Sequence, residues 1–317
     1  TQVMSNIKNV TVIGTGVIGA GWIIRCLAHN KKVVAFDKDL KLKKKLIAEI
    51  KRTWPYVKKL FNKKKLNLKN FKYVTSIEEA LKEADFIQEC ATENYAIKTK
   101  LMRILGKYAK PNAIISSSSS GLLPTRIYSK CKNPARTMIG HPFNPVYMCP
   151  GVEIVPGKKT KKKFLNKANK FYKSISMNPI MVKKELPGYL ADRLQEALWR
   201  EALHIVNEGY ASTKDLDRAI EDGPGLRWSL MGIFLTYHLA GGKAGMKHML
   251  EQFGPALKLP WTKLKAPVLS KKLSERVIKG TRQQAKGKSV SMISNIRDEY
   301  LVELQKLRKK YEKKIRN

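Results

Sequence analysis

The stretch Val10-Thr11-Val12-Ile13-Gly14-Thr15-Gly16-Val17-Ile18-Gly19 decides the fold. Four consecutive β-branched residues read as a short buried strand. The glycine pattern follows that strand without a gap, and a helical run carrying Trp22, Ile23 and Leu27 begins directly after it. In a strand–turn–helix unit the first glycine permits the tight turn and the second lets a pyrophosphate approach the backbone. The third allows close packing of helix on strand, and the unpaired N–H groups of the first helical turn attract the anion. The pattern therefore predicts a dinucleotide site on Gly14, Thr15, Gly16, Val17, Ile18 and Gly19.

A matching acid is present. Asp37 ends the next β-branched run, where its carboxylate can accept hydrogen bonds from an adenosine ribose and repel an added 2′-phosphate, which favours NAD over NADP. Lys38 beside it pulls in the opposite direction, since a cation attracts that phosphate.

Working outward, short apolar runs alternate with helical patterns through the first half of the chain. Strands are predicted over 10–14, 33–37, 73–76, 86–90, 113–117, 136–140, 152–155 and 180–182, and a helical pair over 40–66. This alternation implies parallel strands joined by crossover helices. At Leu186-Pro187-Gly188 the pattern changes, and from Tyr189 onward apolar residues recur every three or four positions. The expected architecture is α/β: a Rossmann-type doubly wound, mostly parallel sheet over residues 1–186, followed by an all-α domain over 187–317. An amphipathic helix over 293–315 closes the chain.

With 317 residues, 43% of them hydrophobic, the chain can fill two cores. It lacks an apolar run of about 18 residues and a leader-like N-terminus, so a cytoplasmic protein is expected. Cys26, Cys90, Cys131 and Cys149 are far apart with no metal-ligand spacing, which predicts free thiols and no metal. The formal charge is +38, from lysines spread along the whole length. Such a surface attracts nucleic acid non-specifically at low salt, and it leaves open a basic nucleic-acid-binding or structural protein on the same fold.

A second constellation follows the fifth strand. It comprises Ser116 to Ser120, then Gly140-His141-Pro142-Phe143-Asn144-Pro145, then Glu153. Carboxyl ends of parallel strands face the ligand crevice, so Ser120 and His141 are placed to meet there. Of the five histidines, His141 leaves a strand next to prolines that would stiffen the loop. Glu153 on the next strand could accept its second ring N–H, which would fix the tautomer and raise the basicity of the other nitrogen.

These residues resemble the 3-hydroxyacyl-CoA dehydrogenase family. The likeness rests on Gly14 to Gly19, Glu89-Cys90-Ala91-Thr92-Glu93, Ser120, the 140–147 stretch and Glu153. It is sharpest, toward a carnitine-oxidising branch, in the runs 120–124, 191–204, 225–229 and 252–257. The resemblance implies an NAD-dependent enzyme that oxidises L-carnitine to 3-dehydrocarnitine, usually as a cytoplasmic homodimer with contacts in its helical domain. It implies His141 as base, Glu153 as its orienting partner, Ser120 and Asn144 as hydrogen-bond donors to substrate or nicotinamide, and Glu93 and Lys98 along the cofactor. The acyl-CoA enzymes carry asparagine where this chain has Asp192, which argues against a thioester substrate. A quaternary ammonium is held by aromatic faces, each contributing about 0.5–2 kcal/mol. Phe143, Tyr147, Trp199 and Trp228 are candidates for this, with Asp192 as counter-charge and Arg227 to fork onto the carboxylate. Gulonate, or another 3-hydroxy acid or its CoA ester, is the alternative substrate.

Overall fold

Residues Val10 and Val12 point to one side of strand β1 (Asn9–Ile13), and Thr11 and Ile13 to the other, and all four are buried. A strand buried on both faces belongs in the centre of a sheet, with helices above and below. The computed structural model describes residues 5–61, 65–228, 231–264, 270–290, 292, 293, 296, 304 and 307. In it β1 pairs in parallel with β2 (Lys32–Phe36) and β4 (Phe86–Glu89). The sheet is completed by β3 (Phe71–Val74), β5 (Ile114–Ser117), β6 (Thr137–Pro142), β7 (Gly151–Pro156) and β8 (Asn178–Met181). Its order is β3-β2-β1-β4-β5-β6-β7-β8, with every pair parallel except β6 and β7. This is the doubly wound, mostly parallel sheet anticipated from the alternating pattern.

Two apolar layers cover the sheet. On one face Val10 and Val12 pack with Trp22 and Ile23 of α1 (Val17–Ala28), Ile50 of α2 (Leu42–Leu60) and Phe171 of α6 (Lys162–Ser174). On the other, Ile13, Ile87, Ile115 and Ile139 meet Leu81 of α3 (Ile77–Leu81), Met102 and Leu105 of α4 (Tyr95–Tyr108) and Ile127 of α5 (Pro124–Ile127).

One expectation requires correction. The predicted helical pair over 40–66 is a single helix, α2, running through Pro55. The proline removes one main-chain hydrogen bond. However, Leu46, Ile50 and Val57 stay buried on one stripe across it, so the helix gains more by continuing than by turning.

The chain forms two compact units, residues 1–195 and 196–317. α7 (Ala191–Asn207) begins in the first. The second contains α8 (Thr213–Glu221), α9 (Gly225–Trp228), α10 (Ile233–Ala240), α11 (Met246–Phe253) and α12 (Lys271–Ala285), and no strand among its described residues. α8 opens on a reciprocal capping box between Ser212 and Asp215. Met231, Ala285 and Ile293 form a small core with Leu235 and Leu239. Most of the helix expected over 293–315 lies outside the described residues. Among the described residues no helix is long and apolar enough to cross a membrane.

Candidate active site

The glycine turn has the geometry its sequence demands. Gly14 adopts φ +92°, and a Cβ there would lie 2.9 Å from the carbonyl oxygen of Cys90. At Gly19 a Cβ would sit 1.9 Å from the Gly14 carbonyl oxygen, so the helix packs on the turn only because both residues lack side chains. Gly16 differs, since a Cβ built there meets nothing within 4 Å. The backbone at Gly16 thus faces open space at the N-terminus of α1, where a phosphate can reach the helix N–H groups. Asp37 follows β2 directly, and its Oδ2 accepts from the Thr15 N–H at 3.1 Å and the Thr15 hydroxyl at 3.0 Å. The open glycine, the helix terminus and the carboxylate fit a dinucleotide.

His141 lies near the end of β6, paired in register with Glu153 on antiparallel β7. Directly opposed residues on adjacent strands bring their side chains together. Nδ1 of His141 is 2.7 Å from Oε2 of Glu153, and both residues are buried. The other carboxylate oxygen, Oε1, accepts from the main-chain N–H groups of Leu190 at 2.9 Å and Ala191 at 3.1 Å, at the start of α7. A helix N-terminus favours an anion there, so Glu153 is supported as a carboxylate while it holds the imidazole. Nε2, the remaining ring nitrogen, is 3.6 Å from Oδ2 of Asp192. The rings of Phe143 and Tyr189 contact His141 edge-on at centroid distances of 5.1 and 5.6 Å.

The loops after β4 and β5 are tied together by carboxylates. Glu89 accepts from Lys98 Nζ at 2.8 Å, the Ala91 N–H at 2.5 Å and the Ser117 hydroxyl at 2.5 Å. Lys98 is only 1% exposed; it also donates to the Ala91 carbonyl, and Glu93 Oε2 lies 3.6 Å away. The second oxygen of Glu93 accepts from the Ser119 hydroxyl at 2.5 Å, the Ser120 N–H at 3.0 Å and the Gly121 N–H at 3.3 Å. Glu93 therefore fixes the main chain that presents the exposed Ser120, while Lys98 holds Glu93 from inside the protein.

Asn144 is exposed and Tyr147 half-buried on the loop after β6. Trp199, Arg227 and Trp228 belong to the second unit, where Trp199 and Trp228 are exposed and Arg227 is half-buried. The four cysteines are free thiols, and among the described residues no group of side chains could hold a metal ion. Reading by spacing gives no role to Glu89 or Tyr189. Tyr189 follows Gly188 in a left-handed conformation, with φ +47°. Its buried hydroxyl donates to the Leu122 carbonyl at 2.6 Å, and its ring backs His141. In sequence it is indistinguishable from the start of a helical pattern.

Known proteins match the chain over nearly its whole length. The family model for the 3-hydroxyacyl-CoA dehydrogenase NAD-binding domain matches residues 9–186, and that for the family's C-terminal domain matches residues 188–284. The chain is 50% identical to an L-carnitine dehydrogenase of Oceanobacillus iheyensis, over 94% of this chain and 97% of that one. It is 47% identical to one of Pseudomonas aeruginosa, over 94% and 93%. A 3-hydroxyacyl-CoA dehydrogenase structure from Archaeoglobus fulgidus superposes with a TM-score of 0.70 at 22% identity, covering 95% of this chain and 98% of that one, and so shares the fold. The chain belongs to the 3-hydroxyacyl-CoA dehydrogenase family and is an NAD-dependent oxidoreductase.

Proposed function

We propose that the protein oxidises L-carnitine to 3-dehydrocarnitine, with His141 as general base and Glu153 as the group that orients it. The observation that carries this reading is the imidazole between two carboxylates. Glu153 on Nδ1 sets the tautomer with its free lone pair on Nε2. Nε2 takes the proton of the substrate hydroxyl as the carbinol carbon becomes a carbonyl. When bound, NAD would supply the hydride acceptor; Gly14, Thr15, Gly16, Val17, Ile18 and Gly19 would hold its pyrophosphate, Asp37 would accept from its ribose, and Glu93 and Lys98 would line the cofactor. Ser120 and Asn144 hydrogen-bond the reacting oxygen or the nicotinamide amide.

Carnitine is a zwitterion. Its trimethylammonium group has no N–H to donate, so it is recognised by aromatic faces and negative charge. Phe143 and Tyr147, on the loop after β6, provide aromatic surface. Asp192, whose carboxylate is 3.6 Å from His141 Nε2, supplies the negative charge. Arg227 is assigned to the substrate carboxylate, which a guanidinium can bind with two parallel hydrogen bonds. Relatives that are 44–50% identical and bear the name L-carnitine dehydrogenase support the substrate assignment. Within the proposal residues 1–186 are the cofactor domain and 187–317 the substrate and dimerisation domain of a cytoplasmic homodimer. The exposed Leu198, Trp199 and Leu203 of α7 support the dimer.

The test is a panel of L-carnitine, 3-hydroxybutyrate, gulonate and 3-hydroxybutyryl-CoA, each with NAD and purified protein, followed by NADH absorbance. L-carnitine is expected to give the highest kcat/KM. A higher value for any other compound removes the substrate assignment and leaves the base chemistry standing.

A further inference from the structure

Arg25, in the second half of the helix that starts at the glycine turn, is completely buried, and all four of its hydrogen bonds end on main-chain carbonyls. Nε donates to Val146 at 2.7 Å and Nη2 to Cys149 at 3.0 Å. Nη1 donates to Ile175 at 3.1 Å and Ser176 at 3.0 Å, at the C-terminal end of α6, where a cation is favoured. Burial of a charge without a carboxylate partner is costly, and here it pushes the guanidinium pKa down to about 10. A hydrophobic side chain could fill this space without that cost, so the charge needs another reason to be there.

The bonded carbonyls supply that reason. Val146 and Cys149 bracket the far half of the loop that follows His141, and its near half carries Phe143, whose ring lies edge-on to the imidazole, and Asn144. The same loop presses on α1 at a second point. A Cβ at Gly21 would come 2.8 Å from the Cβ of Val146, one turn before Arg25. Phe143 is held from behind by Gly151, where a Cβ would lie 2.9 Å from its ring.

We infer that Arg25 is a positioning residue for the redox reaction, one that clamps the 143–149 loop to the dinucleotide-binding helix and so fixes Phe143 and Asn144 relative to His141. It touches neither cofactor nor substrate. The inference rests on the proposed roles of Phe143 and Asn144, and it makes the orientation of the substrate depend on a side chain of the cofactor domain's first helix.

Arg25→Lys keeps the charge but cannot reach all four carbonyls, and Arg25→Met keeps only the bulk. In the full-length protein three quantities are read: alkylation of Cys149 by iodoacetamide, the dissociation constant of NADH by fluorescence, and kcat. The kcat assay uses whichever 3-hydroxy acid the unmodified protein turns over fastest, so failure of the carnitine assignment leaves it intact. The expected result is Cys149 alkylation up about fivefold, NADH affinity within about threefold, and kcat down about tenfold to a hundredfold, with lysine intermediate between arginine and methionine. Should the methionine variant fail to fold, Gly21→Ala perturbs the same contact from the helix side with the same expectation. A kcat within about twofold of the original despite faster alkylation overturns the inference, as does a loss of NADH affinity as large as the loss of kcat.

Discussion

Oδ2 of Asp192 stands 3.6 Å from Nε2 of His141, on the opposite side of the ring from Glu153, so each ring nitrogen faces a carboxylate. An anionic group there repels a negatively charged substrate and attracts a cationic one at close range, in a site where partial burial weakens screening by solvent. On the proposed function, Asp192 is therefore one of the positions that would discriminate between 3-hydroxy acids.

Asp192→Asn keeps the shape and removes the charge. The expected outcome is about a tenfold loss of kcat/KM for L-carnitine, with 3-hydroxybutyrate unchanged or improved. Steady-state kinetics on both compounds checks it, and an equal loss on both would assign Asp192 to base positioning instead of substrate selection.

Glu153→Gln can no longer accept two helix N–H groups as an anion while it holds Nδ1. The expected loss in kcat is about 10²–10³-fold, with NADH affinity retained, because orientation and basicity of the imidazole are both affected. Stopped-flow NADH formation and an NADH titration together read this out.

Gly19→Ala places a methyl group 1.9 Å from the Gly14 carbonyl oxygen. Helix α1 must move off the turn, at a cost of about 1–3 kcal/mol, and the pyrophosphate cradle opens with it. Thermal denaturation with and without NAD should show a lower Tm and no stabilisation by the cofactor.

Removal of Glu89 leaves the ammonium of Lys98 buried without its main partner. Glu89→Gln is expected to destabilise the first unit by about 3 kcal/mol, less whatever Glu93 recovers from 3.6 Å. Lys98→Met in the same background should restore part of the loss, which a urea titration of both variants measures.

The thiols provide a chemical check on the packing. Burial pushes Cys26 and Cys90 up to about 12 and Cys131 up to about 11. These three therefore stay protonated and slow to react at pH 8, whereas the part-exposed Cys149 should take iodoacetamide first. Peptide mapping after brief labelling decides it, and early label on Cys26 would show that α1 does not pack as described.

The sheet was legible in the sequence because each strand is a short β-branched or apolar run, and the turn because Gly14 and Gly19 admit no side chain. Strand direction was not legible. β7 runs against β6, and nothing in the period of Val152, Ile154 and Val155 encodes that, although it is the antiparallel register that opposes His141 to Glu153. The pairing itself could be expected from chemistry, since a histidine at a strand end requires an acceptor for its second nitrogen. The contacts of Arg25, Glu89 and Tyr189 are not legible in local spacing, for a common reason. Their partners are carbonyls, amides or an ammonium brought in from distant segments, and no local spacing announces such contacts. α2 continues through Pro55 because burial of Ile50 and Val57 on either side outweighs the local helix breaker.

The central claim is tested most directly by the pre-steady-state rate of NADH formation from L-carnitine in the unmodified protein and in His141→Gln, with NADH affinity measured on both. The account predicts a fall of about 10²–10⁴-fold in that rate with affinity within about threefold. A variant that forms NADH as fast as the unmodified protein would contradict it, because the imidazole would then not be the group that takes the proton.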